Sequence, residues 1–381
     1  MIFKNCYILT ENGYLKSDFE FEDKILNLKK LKSTGLNYEN KKIIPGFFDI
    51  HTHGAAGFDF NNAKSISEMQ KIIDFYISCG VTSVLPTLLT DSDEVYKEKL
   101  AMIYELSKTN PIIKGIHMEG PFLSKEYKGA QLESCLQPFN KDKFLEYQNY
   151  AHGLIKYITV SPELPNCKEF VKFLISQNIV VSLGHSGATF DEATVAIKEG
   201  ATSFTHVMNA MAPIHQHKPS ILAAAWFYDF CYNEVILDGI HVHPEMVALI
   251  RKIKGENKVI GITDSLMAAG LPDGNYFIGF TPIYVQNHDC KIVGSNVRAG
   301  STLNAFQGFL NYKKFLNCAD LEASHIWSKN PAELLHLIKN IGTLEIDKNA
   351  DFLVLDENYD LLETYINGKC YYRKDYKLWK I

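Results

Sequence analysis

At 381 residues the chain has room for one large domain and a small one, and its 46% hydrophobic and 22% charged residues describe a soluble globular protein. The net charge of −5 excludes a general nucleic-acid binder, because no surplus of Lys and Arg exists to displace counterions from phosphates. An anionic ligand would have to be met by a local positive site.

In chain order, the N-terminal stretch MIFKNCYILTENGYLKSDFEF has polar or charged residues every few positions, which argues against a signal peptide. Nowhere do about 18 apolar residues run together, as a membrane span requires. Residues 1 to about 42 read as short alternating segments broken by Asn, Gly and Asp, the style of antiparallel strands, with the lysine-rich LNLKKLKSTG (26–35) as a solvated turn. From about 43 to 264, apolar runs rich in β-branched residues alternate with stretches of helical period. The runs are KIIPGFFDIHTH (42–53), GVTSVLPT (80–87), IIKGIHMEG (112–120), IKYITVSPE (155–163), NIVVSLGHS (178–186), ATSFTHV (201–207), EVILDGIH (234–241) and NKVIGITDS (257–265). Between them, residues 66–80, 93–108, 167–177, 191–200 and 243–255 carry apolar residues at i, i+3, i+4 spacing, several opening on Asp or Ser and closing at Gly. Eight strands with helical crossovers predict a (β/α)8 TIM barrel, with its active site at the C-terminal strand ends.

The C-terminal GTLEIDKNADFLVLDENYDLLETYINGKCYY (342–372) returns to the alternating style, so the two ends are expected to meet in one small β domain. The expected organisation is 1–44 and 342–381 in that domain, flanking a barrel of 45–341. Eight scattered cysteines without a C-x-x-C pair read as reduced thiols in a cytoplasmic protein.

The first strand closes on His51-Thr52-His53, whose side chains at i and i+2 share a face. Alone, H-x-H is a weak signal and reads equally as a satisfied histidine pair. The other strand ends change that: Glu119, His185, His206, His241 and Asp264 close strands three, five, six, seven and eight, so six of eight strands finish in metal-ligand or acid/base chemistry. Imidazole and carboxylate together suit one or two divalent ions of Zn, Fe, Mn or Co, and no cysteine stands at a strand end. Such a site acidifies water to a pKa of about 7, and Asp264 could then take the proton and return it to a leaving amine. His117 reads as a core histidine, and His215 and His243 as loop and helix-start residues.

With these residues in place the chain resembles the amidohydrolase superfamily, and within it the deacetylases of N-acetylglucosamine 6-phosphate. The resemblance runs nearly the whole chain and rests on PGFFDIHTHG (45–54), GIHMEGPFLSKEYKGAQ (115–131), LGHSGAT (183–189), THVMNAM (205–211), LDGIHVHPE (237–245), ITDSLMAAGLPDG (262–274) and AGSTL (299–303). It implies a metal-dependent barrel with a β sandwich built from both termini, a homodimer, and removal of acetate from an amino-sugar phosphate in amino-sugar salvage. By position it also implies Glu119, His185 and His206 as ligands of the principal metal, and His51 and His53 as the extra pair of members that hold two ions. In those members Glu119 would bridge and Asp264 would also ligate. Asp264 falls at the acid/base position, His241 at a sugar contact, Asn209 and Ala210 near the phosphate, and Ala130, Ala299 and Gly300 along the substrate wall.

Three departures from the family pattern stand out. Gln131 replaces a histidine that polarises the acetyl carbonyl, and brings a hydrogen bond without charge. His217 and Lys218 stand where an arginine and a glutamate are usual, which weakens or rebuilds the anion clamp. Arg298 stands in place of an aliphatic residue and, with Lys218, is a candidate to restore positive charge; the plainer reading makes both surface charges. N-acetylgalactosamine 6-phosphate, or an N-acetylated sugar with another anionic group, stays open as a substrate. A non-catalytic sugar-phosphate binding protein and a dihydroorotase-like amidase are remoter readings.

Overall fold

The computed structural model describes residues 1–279 and 281–374, so the last seven positions of the expected C-terminal β segment lie outside the described residues. Eight strands form one parallel sheet in chain order: β1 (Phe47–Thr52), β2 (Val81–Leu89), β3 (Ile116–Glu119), β4 (Ile155–Val160), β5 (Val180–Leu183), β6 (Ser203–Phe204), β7 (Tyr232–Ile236) and β8 (Val259–Ile262). Every neighbouring pair is parallel, from Phe47 opposite Val81 to Ile236 opposite Ile262, as right-handed crossovers through helices require. Four of the helices between the strands begin on side-chain caps: Ser65, Ser92, Asn140 and Thr189 each accept a backbone N–H of the first turn, and Thr189 completes a capping box with Glu192.

The sheet becomes a barrel at the seam between β1 and β8. There the Asp264 amide donates to the His51 carbonyl at 2.9 Å. Asp49, 1% exposed, accepts the Thr263 hydroxyl at 2.6 Å and the Thr263 amide at 3.4 Å. Below that level the barrel is filled by Phe48, Ile50, Leu85, Tyr157, Ile236, Ile260 and Ile262, with Ala332, Leu334 and Ile341 plugging the floor. The Asn330 amide fixes this plug by donating to the Val259 carbonyl at 2.7 Å.

The first apolar run is two elements, divided at Gly46. Lys42–Pro45 belongs to the sheet of the termini, and β1 begins at Phe47. A side chain at position 46 would meet the Thr82 Cβ at 2.7 Å, so only glycine lets the chain pass so close to β2. The terminal strands do meet in one sheet, in the order 369–373, 361–366, 352–355, 42–45, 2–10, 13–21 and 25–27. It is mixed rather than purely antiparallel, because Ile2–Thr10 pairs in parallel with both Leu36–Asn37 and Lys42–Pro45. Phe3, Phe19, Phe21, Phe352 and Tyr365 form its aromatic core, with Phe352 stacked on Tyr365 at 4.5 Å.

Elements absent from the sequence reading fill the rest. Lys141–Tyr150 is a helix that buries only Phe144 and Tyr147, too few apolar positions to declare a period. Ile221–Phe227 is seven residues long, and three helices follow at Ala305–Leu316, Asp320–Trp327 and Lys329–Leu334. Gly274–Ile278, Thr281–Gln286 and Asp289–Ile292 make a separate antiparallel meander, whose Ile283, Val285 and Cys290 pack on Leu89 and Leu266 at the barrel mouth. All eight cysteines are free thiols.

Burial pushes the Asp49 carboxyl up to about 7 against the hydrogen bonds it accepts. Thr263→Val, which keeps the shape and removes the strongest donor, is expected to cost about 1–3 kcal/mol, the scale of a buried acceptor left short of a partner. A urea midpoint no different from wild type would show the seam does not need this bond.

Candidate active site

The groups that close the strands meet at the C-terminal mouth of the barrel. Their backbones are bent to do so: His185, His206 and Asp264 have φ of 48°, 28° and 47°, the left-handed region that non-glycine residues rarely enter. Each lies two residues beyond its strand, where the bend turns the side chain inward across the mouth.

At the centre lies the carboxylate of Glu119, the last residue of β3. His185 Nε2 and His206 Nε2 are each 3.0 Å from its Oε1, and 3.1 Å from one another. On the other side His51 Nε2 is 3.3 Å from Oε1 and His53 Nε2 is 3.4 Å from Oε2, with 3.2 Å between those two nitrogens. Asp264 Oδ1 stands 3.1 Å from His53 Nε2 and 3.6 Å from His51 Nε2. The four imidazoles and both carboxylates are buried.

The outer ring nitrogens explain the orientation. Nδ1 of His53, His185 and His206 faces the carbonyl oxygens of Thr87, Tyr127 and Asn209 at 3.2, 2.9 and 3.1 Å, and Nδ1 of His51 faces a Glu234 carboxylate oxygen at 3.0 Å. Each ring therefore donates outward from Nδ1, which leaves the Nε2 lone pair pointing inward. Lone pairs facing each other at 3.1 and 3.2 Å cannot bond one another, whereas a cation between them satisfies both. Among the described residues two such groups exist, His51–His53–Glu119 and Glu119–His185–His206, sharing Glu119, and their nitrogen and oxygen donors suit a divalent ion.

The charges reinforce the grouping. Without an ion the same positive charge must come from protons on the inward nitrogens: burial works against ionising Glu119, but protonated His51 and His185, with hydrogen bonds from His185 and His206, then hold it well below the usual carboxylate range. Burial likewise opposes charge on His53, yet its bonds to Asp264 and Glu119 raise it to about 9. Asp264 is raised by burial and lowered further by the His53 hydrogen bond and the His51 charge, so it stays below its ordinary value. His117 is separate: buried against Thr159 Oγ1 at 2.8 Å and Thr87 Oγ1 at 3.3 Å, it is a core histidine.

Above the cluster opens a cleft of about 560 Å³. Ala130, Gln131, Asn209, Ala210, His241, Arg298, Ala299 and Gly300 all line it. The Gln131 amide bonds at both ends, donating one N–H to Glu119 Oε2 at 2.6 Å and accepting the Thr90 amide at 2.7 Å. His241 is held by Asp238, which takes Nδ1 at 2.6 Å and the backbone amides of Ile240 and His241 at 2.8 Å, so the segment DGIH is a turn closed on its own carboxylate. Arg298 is forked onto Asp289 at 2.8 and 3.1 Å, the plainer of its two readings. Gly300 adopts φ of 51° with the Asp264 carbonyl 2.9 Å from where a Cβ would stand.

His217 and Lys218 do not line this cleft; they lie on an exposed loop, and the His217 amide donates to His215 Nδ1 at 3.2 Å. Position in a motif does not tell which way a loop turns. The sequence reading also passed over Asp238, three residues before His241, and Glu234, the lone charge inside an apolar strand. Lys128 escaped it as well, a half-buried cation at the cleft wall.

Residues 43–372 match the amidohydrolase family. An N-acetylglucosamine-6-phosphate deacetylase of Bacillus subtilis is 30% identical over 97% of this chain and 96% of its own. The crystal structure of the Thermotoga maritima enzyme of that name is 32% identical, with a TM-score of 0.90 over 98% of this chain and 100% of that one. An aspartate-to-alanine mutant of the Mycobacterium smegmatis enzyme, in complex with N-acetyl-D-glucosamine-6-phosphate, is 26% identical with a TM-score of 0.92, over 97% and 99% of the two chains.

Protein purified without chelator is expected to carry divalent metal by elemental analysis. Stripping it should lower the unfolding temperature, and restoring the ion at 100 times its Kd should return about 2.7 kcal/mol of stability. Metal-free protein unaffected by added ions would mean the imidazoles satisfy one another.

Proposed function

The chain belongs to the amidohydrolase family, and from that premise we propose that it hydrolyses N-acetyl-D-glucosamine 6-phosphate to glucosamine 6-phosphate and acetate. The observation that carries the reading is the contact of Asp264 with the histidine–Glu119 cluster on the floor of a cleft sized for a sugar phosphate. In this reading Glu119, His185 and His206 hold one divalent ion, with His51 and His53 available for a second, drawn from Zn, Fe, Mn or Co. A bound ion supplies Lewis acidity to the acetyl carbonyl and to the attacking water.

The residues of the chain do the rest. Asp264, kept ionised, accepts the proton of the attacking water on Oδ1 and delivers it to the departing amine. His241, clamped through Nδ1 by Asp238, keeps Nε2 for the sugar. Gln131 steadies Glu119 with one N–H of its amide and keeps the second N–H to orient the substrate. The Asn209–Ala210 turn, tied to His206 and to the Ser186 amide at 3.0 Å, forms the sugar wall beside the ligands.

For the anionic end the cations of the cleft are Lys125, Lys128 and Arg298. Lys125 pairs with Glu133 at 2.7 Å and Arg298 with Asp289 at 2.8 Å. Among the described residues Lys128 has no carboxylate partner; its Nζ reaches only the Gln131 carbonyl at 3.5 Å. Lys128 is therefore our choice for the phosphate contact. The galacto epimer, or another anionic group, is the second reading.

No helix among the described residues is long and apolar enough to cross a membrane. We propose that it acts in amino-sugar salvage in the cytoplasm and as a homodimer, the last supported by the exposed aromatic pair Phe227 and Phe230, 68% and 52% exposed.

Asp264→Asn should lower kcat by about 10²–10⁴-fold with KM little changed; activity within tenfold of wild type would remove Asp264 from the proton path. On a panel of phosphorylated and free N-acetylhexosamines, wild type should prefer the 6-phosphate. Lys128→Ala should raise KM for that substrate by about tenfold, the loss of one charge-assisted hydrogen bond. Equal kcat/KM with and without phosphate would overturn the substrate assignment.

A further inference from the structure

Strand β7 carries Glu234 into the barrel interior, with no exposed surface at all. Its carboxylate is fully used. Oε2 accepts from His51 Nδ1 at 3.0 Å and from the His206 amide at 3.2 Å, and Oε1 accepts the Tyr157 hydroxyl at 2.5 Å. Tyr157 is itself fixed by Ser203 Oγ at 2.8 Å. No Lys or Arg among the described residues pairs with Glu234, so the one cationic partner available to this buried carboxylate is the His51 ring. A buried carboxylate is costly unless a positive charge answers it.

The four imidazoles of the cluster are thereby unequal. His53, His185 and His206 are backed by neutral carbonyls, and His51 alone is backed by a carboxylate. A carboxylate behind a ligating imidazole fixes the tautomer and ring orientation and makes the inward nitrogen more basic. We propose that Glu234 is a positioning residue that turns the His51–His53 pair into a second divalent-cation position, and that its negative charge is in turn compensated by the ion through His51. Glu234 also receives the His206 amide, so one side chain braces both halves of the cluster from below. The proposal rests on the reading of the cluster as a metal site.

The test is a titration of chelator-stripped protein with Zn²⁺, read by calorimetry and by elemental analysis after gel filtration, with folding followed by circular dichroism. Wild type should take two ions. Glu234→Gln, which keeps shape and loses charge, should keep one tight ion and bind the second about 10–100-fold more weakly. Tyr157→Phe, which leaves the carboxylate but removes the donor to its Oε1, should weaken the second ion to a lesser degree and leave the first unchanged. Two ions bound by Glu234→Gln with wild-type affinities would overturn the role of Glu234 and leave the metal reading standing. Wild type saturating at fewer than two ions would overturn the His51–His53 position itself, and the proposal with it. If Glu234→Gln fails to fold, Tyr157→Phe decides, and an unaltered second ion in that variant overturns the proposal.

Discussion

One buried carboxylate organises the mouth of the barrel. Glu119 is 2% exposed and lies within 3.4 Å of four imidazole nitrogens, while the Gln131 amide bonds its Oε2 at 2.6 Å. A carboxylate at that depth is tolerable only if the surrounding groups bring positive charge. Those groups come from three different strands, β1, β5 and β6, so their convergence depends on barrel closure. The Asp49–Thr263 seam and the Gly46 crossing are therefore as much a part of the active site as the ligands they never touch. The left-handed backbone at His185, His206 and Asp264 is the local cost of aiming three strand ends at one point.

Much of this was legible because barrel strands and catalytic strand ends leave a repeating signal. Apolar runs ending in His, Glu or Asp read as a barrel with chemistry at its mouth, and the eight runs correspond to the eight strands observed. The split of the first run at Gly46 was not legible, since both halves are equally apolar and only the approach to Thr82 separates them. The meander at 274–292 was also missed: its alternation is half exposed, with only Ile278 of its first strand buried, and it lies beyond the last barrel strand. Lys141–Tyr150 escaped because its two buried aromatics give no period.

The inner and outer shells of the site differ in the same respect. Ligand candidates are read from side-chain type, but what orients them is mostly backbone: the carbonyls of Thr87, Tyr127 and Asn209 have no sequence signature. Where a side chain does that work, a trace exists in hindsight. Glu234 is a charge in a strand whose other residues are buried, and Asp238 stands at i−3 from the histidine it clamps. Neither signal is decisive alone, because a strand glutamate or a turn aspartate usually has a structural role.

The anionic end of the cleft follows different physics from its floor. The floor is buried and its side chains share their partners, so substitution there disturbs several bonds at once. The rim is solvated. Arg298 and Lys125 are 41% and 77% exposed and each is tied to a nearby carboxylate, and such exposed pairs contribute little to stability. Position 217 stands on a loop wholly open to solvent. Residues at the rim can thus change without unfolding the barrel or dismantling the cluster. A fold arranged this way fixes the bond it cleaves far more tightly than the group by which it recognises the substrate.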